Sequence, residues 1–498
     1  MLNPYYWLVA GTLLATHSQA QSVGQLPESK ISLTETEAQL RYLASDKLLG
    51  RRTGEPGNLE AARYIAEQFQ KLGLKPAPGQ SDYFQKVPLQ ISKPALQGNL
   101  QIGANALKLG NEFIVLEGDK ADISAESVYV GYGLTDGADG YNNQNVRGKI
   151  VITQAGSEEA RSARQLIAAS KAKKKLATEK GALAIIELCS GASFPWNMAS
   201  RVFNSEQLTL AEGAQAGGLP ILWVDNTKNQ LASLKEKSQK VTVQSSGRHS
   251  IAIDAVNVAG LVEGSDPKLK NEYILLTAHF DHVGTGKNGG QPTTPNDTIF
   301  NGARDNAFGT VALLAAAKSL QAQRPKRSVL IVALNGEEVG LLGSRYYAEH
   351  PLVPLKQTVF DLNSDGAGYN DTTIVSVIGL ERTGARSEIE TACKAFGLSV
   401  FAEPAPEQGL FDRSDNVSLA AKGVPAPTFS AGFKTFDEQL FKYYHQAADN
   451  PETIDFNYLL KFCRAYAYTA RLIADKPTRP QWMAGDKYEA AAKALYGQ

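Results

Sequence analysis

Two periodicities divide the chain into regular elements. Near-continuous apolar runs at 273–279 (YILLTAH), 328–335 (SVLIVALN), 358–364 (TVFDLNS), 373–379 (TIVSVIG) and 426–432 (APTFSAG) predict strands of a sheet covered on both faces. Between them, apolar residues recur at helical spacing in 311–320, 384–396 and 455–475, the last a long helix. Strands alternating with helices predict an α/β fold with a mostly parallel sheet flanked by helices. Two more helices are expected near the start. Residues 31–49 place Leu40, Leu43 and Leu48 on one face, with Thr34 as N-cap and Glu37 three residues on. Asn58 caps the next, whose Ala62, Ile65, Ala66 and Phe69 face inward until Gly73 ends it. Arg51 and Arg52, in the turn between, read as surface or loop-anchoring charges. A short docked helix is expected around 486–497.

The pattern changes in the middle. Strand-like VPLQI, NLQIG and FIVLEG fill 82–118; SVYVGYG (127–133), KIVITQ (149–154), ALAIIEL (182–188), LPILWVD (219–225) and KVTVQ (240–244) follow. With a helix through Leu166 and Ile167, these predict a self-contained smaller α/β unit over 116–247. The Lys171–Lys180 cluster reads as the solvated face of that helix.

Length and composition narrow the picture. At 498 residues the chain suggests two or three domains. Lys plus Arg, at 51, equals Asp plus Glu, so charge gives no argument for a nucleic-acid partner. Cys189, Cys393 and Cys463 are widely spaced and contain no C-x-x-C pair, so they do not indicate a thiolate zinc site or a dense disulfide framework; Cys393–Cys463 is the one candidate disulfide. Residues 4–16 are apolar but too short to span a bilayer, and Ser18-Gln19-Ala20 is a small-x-small cleavage pattern. A signal peptide over 1–20 is therefore expected, with export to periplasm or exterior. No later stretch reaches eighteen apolar residues, so no membrane anchor is expected.

Chemistry concentrates where polarity rises at strand ends, the place open α/β sheets put their sites. AHFDH (278–282), NGARDNAFG (301–309), NGEEVGLLGS (335–344), NSD (363–365) and YYH (443–445) offer His279, Asp305, Glu338, Asp365 and His445, the imidazole and carboxylate ligands zinc accepts. Glu337 is left over as a candidate general base, because neighbouring side chains on an extended chain diverge. Alone, an Asp at a strand end is usually a cap and adjacent glutamates say little; the combination carries the weight. His282 is a spare histidine able to orient a ligand or substrate.

These segments resemble those of zinc aminopeptidases of metallopeptidase family twenty-eight with an inserted protease-associated domain. The resemblance implies a zinc-peptidase, phosphorylase/hydrolase-like sheet: 21–115 as the first part of the peptidase domain, 116–247 as the insert and 248–498 as the catalytic domain. It also implies two zinc ions, His279 and Asp365 on one, Glu338 and His445 on the other, Asp305 bridging, and Asp281 orienting His279. Glu337 would be general base on zinc-bound water, Tyr444 would stabilise the oxyanion, and Arg413, in FDRSDN (411–416), would bind substrate. The implied activity is release of the N-terminal residue from peptides with a free α-amine, by a monomer or homodimer. Arg304, Phe308 and Asn416 depart from the family's usual residues, Arg304 where it would narrow or recharge the pocket. A glutaminyl-cyclase-like aminoacyltransferase, a carboxypeptidase-type relative and a receptor-like non-catalytic binding protein are the alternatives.

Overall fold

The computed structural model describes residues 23–137, 140–160, 163–191, 195–211, 218–286, 289 and 297–497. The expected signal peptide lies outside them. Contacts divide the chain into two compact units, Met1–Gln85 with Val256–Gln498, and Lys86–Ala255.

The larger unit is built on the predicted apolar runs. Strands Ser328–Leu334, Tyr273–His279, Thr358–Ser364 and Thr428–Ala431 lie side by side in that order, all parallel. Every residue of 328–334 and 358–364 is buried, as runs covered on both faces require. On either side the direction reverses: Val256–Val262 runs antiparallel to 328–334, and Ile374–Ile378 antiparallel to 428–431. The sheet is therefore mixed rather than mostly parallel. The reason lies in the connections. Neither 263–272 nor 365–373 contains a helix, and a connection that short turns the chain back instead of crossing over. Helices Phe308–Ala322 and Phe456–Asp475 cover one face, with the Phe308 and Phe462 rings 4.9 Å apart.

Two cap assignments shift. The first helix is Leu33–Leu43, with Ser32 rather than Thr34 at its N-cap. The second is Pro56–Lys71; proline occupies its first turn, and Asn58 is buried inside it, donating to the Arg51 carbonyl. The terminal helix is Glu489–Tyr496.

The smaller unit begins earlier than the 116–247 pattern, because Gly98–Ile102 pairs with Lys240–Ser245 and Leu89–Lys93 with His249–Ile253. Its heart is four parallel strands: Ala121–Tyr129, Ile150–Gln154, Ala184–Cys189 and Ile221–Asp225. Helix Ala163–Glu179 corrects the reading of the basic cluster as wholly solvated. Lys173 is fully buried, its Nζ 2.5 Å from Glu187 Oε2 and donating to the Gln154 carbonyl; Ser170 also bonds Glu187. Burial pushes the Lys173 ammonium down, against the pull of Glu187. All three cysteines are buried and free, so the Cys393–Cys463 disulfide is not formed.

Candidate metal centre

The site forms where the parallel strands of the larger unit end. His279 closes the 273–279 strand, Asp365 follows the 358–364 strand, and Glu337 and Glu338 follow the 328–334 strand. Asp305 lies in a wide turn at 303–307 leading into the 308–322 helix. Gly302 starts that turn at φ 58°, and a Cβ there would sit 2.2 Å from the Asp305 carbonyl oxygen. His445 is also left-handed, at φ 52°.

These segments converge. His279 Nε2 lies 3.0 Å from Asp365 Oδ1 and 3.4 Å from Asp305 Oδ1. His445 Nε2 lies 3.2 Å from Asp305 Oδ2 and 3.1 Å from Glu338 Oε2. The two oxygens of one carboxylate thus face two different imidazoles. Ligand atoms of His279, Asp305 and Asp365, of His279, Glu337 and Glu338, and of His282, Asp305 and Glu338 each fall within 4.8 Å of one another. Buried imidazole and carboxylate donors in this density fit one or two zinc sites. The five predicted ligands are brought together, with Glu337 at the pocket wall beside them.

Electrostatics follow from packing so many carboxylates out of water. Burial, reinforced by Asp365 and Glu338 against the opposing charge of His279, raises the Glu337 carboxyl well above its usual range. Burial alone would lower His445, but Asp305 and Glu338 hold it up at about 10. Burial likewise opposes the charge on Glu338, yet His282 and His445 bring its carboxyl down to about 2.

The supporting groups are more specific than the sequence reading. The carboxylate of Asp281 is 3.7 Å from His279 Nδ1, whose nearer partner is the Asp281 carbonyl at 3.2 Å. That carboxylate instead accepts the backbone N–H of Glu337 at 3.2 Å and of Glu338 at 3.3 Å. Its main geometric effect is on the turn carrying both glutamates. His282 Nδ1 lies 2.7 Å from Glu338 Oε1, so the spare histidine holds the Glu338 carboxylate in place.

Arg304 turns away from the pocket. Its guanidinium sits 3.8 Å over the Tyr443 ring and donates to Asp449 Oδ1, while Asp449 Oδ2 accepts the N–H groups of Arg304 and Asp305. The Asp305 turn is thereby tied to the segment that presents His445. Phe308 packs in the core and Asn416 bonds the Phe411 and Ala426 carbonyls, so neither lines the pocket. Arg51 is the anchor the sequence left vague: it is buried and donates to the carbonyls of Phe280, Asn301 and Gly302. Asp449 had only a weak signal, a carboxylate four residues beyond His445 in a polar stretch.

The pocket beside the cluster is lined by Arg413, Ser414 and Tyr444, with an apolar wall from Ile378, Leu410, Phe433 and Phe436. Among the described residues, no helix is long and apolar enough to cross a membrane.

Comparison with known proteins agrees with this geometry. Residues 257–470 match Peptidase family M28. A vacuolar membrane protease of Saccharomyces cerevisiae is 36% identical over 115 residues, 23% of this chain and 10% of the relative. One from Lachancea thermotolerans is 28% identical over 212 residues, 41% of this chain and 18% of the relative. The match thus spans under a fifth of the length of these curated relatives. Among solved structures, an aminopeptidase from Aneurinibacillus sp. strain AM-1 superposes with a TM-score of 0.54 at 20% identity, covering 93% of this chain and 99% of that one. Residues 257–470 therefore resemble Peptidase family M28, and the chain shares the fold of the Aneurinibacillus aminopeptidase.

Proposed function

We propose that the protein is a di-zinc aminopeptidase acting on peptides with a free α-amine. The observation that carries this reading is Asp305, whose two oxygens face His279 and His445 separately, with Glu337 beside them. His279 and Asp365 would hold one ion, Glu338 and His445 the other, and Asp305 both. When bound, the ions supply Lewis acidity toward the scissile carbonyl and the attacking water.

The chain's own groups do the rest. Glu337 takes a proton from the attacking water on its carboxylate and delivers it to the leaving amine. Tyr444 donates its hydroxyl to the developing oxyanion, a role its place in the pocket wall allows. Arg413 binds the substrate backbone, and the Ile378–Leu410–Phe433–Phe436 wall receives the first side chain. The Lys86–Ala255 unit is read as the protease-associated insert, with no catalytic group assigned to it. Export is part of the same reading, and N-terminal sequencing of the mature chain, starting near Gln21, checks it.

The test compares wild type with Glu337→Gln on free and N-acetylated peptides, with zinc measured in both. Wild type should release the first residue from unblocked peptides only. The variant should keep two zinc ions and lose about a thousandfold in kcat. Cyclisation of N-terminal glutamine would move the assignment to an aminoacyltransferase; no turnover on any peptide would favour a binding protein.

A further inference from the structure

The turn that lines the pocket is held from behind by residues 482–488. Residues 410–412 form one short helical turn, with Leu410 and Arg413 on the pocket and Phe411 facing the opposite way into the core. Phe411 meets Trp482 and Tyr488, with ring centroids 6.1 and 5.9 Å away. The Arg382 guanidinium lies 3.8 Å from the Phe411 centroid and forks onto Asp486 at 2.7 and 3.0 Å. Asp412 accepts Lys487 Nζ at 2.7 Å on each oxygen and the Tyr488 hydroxyl at 3.1 Å. Trp482 is itself pinned, its Nε1–H donating to the Gly423 carbonyl at 3.0 Å.

We infer that residues 482–488, with Arg382, are a positioning element for substrate: they clamp Phe411 and Asp412, and so set where Leu410 and Arg413 stand in the pocket. The inference rests on the aminopeptidase reading, because Arg413 matters only if substrate occupies that pocket. Arg413 is exposed, and its side chain's one hydrogen bond among the described residues is long, 3.5 Å to Gln408 Oε1. Its position therefore depends on the backbone beneath it, and the two preceding residues are the ones the clamp grips. The exposed Lys487–Asp412 pair alone would contribute little. The stacked and forked Arg382 is the stiffer part, since a planar guanidinium fixes direction in a way an ammonium does not.

The test uses the full-length, zinc-loaded protein with Arg382→Lys, Asp486→Asn, and the surface pair Lys487→Met with Tyr488→Phe. Steady-state hydrolysis of an unblocked peptide and hydrogen exchange of amides 409–414 are read together. Loosening the clamp should raise KM about fivefold, keep kcat within about twofold, and speed exchange in 409–414; the surface pair should do the same more weakly. Lys487→Arg should behave as wild type. If the melting temperature falls while KM and loop exchange stay unchanged, the segment is only a structural prop and the inference fails. Because the surface pair leaves the buried packing intact, it gives a second answer should the Arg382 variant fold poorly. A wild type without peptidase activity overturns the functional reading itself, and with it the substrate role of the clamp; unchanged KM in variants of an active wild type overturns the clamp alone.

Discussion

Both units bury charge, in opposite ways. In the smaller unit Lys173 and Glu187 neutralise each other at full burial, and Ser170 and the Gln154 carbonyl take up remaining hydrogen-bonding capacity. In the larger unit Asp305, Glu337, Glu338 and Asp365 crowd around three histidines, leaving an excess of negative charge that, among the described residues, no Lys or Arg side chain offsets by direct contact. The first arrangement is complete as it stands. The second suits added cations. Burial of ionisable groups alone does not mark a functional site; an unbalanced buried cluster with converging donor atoms does. Asp361 is a third case. It accepts the Thr277 hydroxyl on one oxygen, its other oxygen has no partner among the described residues, and burial raises its carboxyl to about 8.

The sharpest way to break this comparison is to remove the bridging charge. Asp305→Asn should abolish turnover and lower zinc content, measured by metal analysis beside peptide hydrolysis; full activity with two ions retained would show that the cluster does not need its central carboxylate. In the smaller unit, Lys173→Met strands Glu187 and should cost about 3–5 kcal/mol in chemical denaturation. Adding Glu187→Leu should recover most of that loss, and zinc content should not change in either variant. A smaller effect is expected where Arg304 ties the two ligand segments together: Arg304→Gln should weaken zinc about 10–100-fold in a chelator competition. Smallest is Asp361→Asn. The folded state keeps the Asp361 proton up to about pH 8 while the unfolded chain releases it near pH 4, so wild-type stability falls as pH rises through that window. The variant should show a flatter melting profile there, and an unchanged slope would mean Asp361 is ionised and otherwise compensated.

Much of this was legible in the chain. The strands at 273–279, 328–334 and 358–364 and the 456–475 helix follow from apolar runs and periodicity, because burial on two faces or one stripe writes itself into local sequence. The candidate donors were legible for a related reason: metal chemistry restricts residue type, and the abrupt rise of polarity at a strand end marks the place where the structure brings them together. The two antiparallel reversals were less visible, since direction depends on which strands become neighbours. Arg51, Asp449 and Arg304 show the limit most clearly. In one dimension Arg51 and Asp449 look like ordinary surface charges and Arg304 like a pocket residue, yet Arg51 joins segments about 230 to 250 residues apart and Asp449 grips the Arg304 turn 145 residues earlier.

The sequence by itself determined which residues are able to hold metal, which runs must be buried, and that the middle of the chain folds as a smaller α/β unit. Only the tertiary structure decided that Asp281 steadies the Glu337–Glu338 turn, that Lys173 is interior, and that residues 482–488 contact the turn beside the pocket. The physical reason is the same in each instance. Hydrophobic periodicity and ligand type are properties of neighbours along the chain, whereas pairing a buried polar group requires a partner that only folding brings within 3 Å or so.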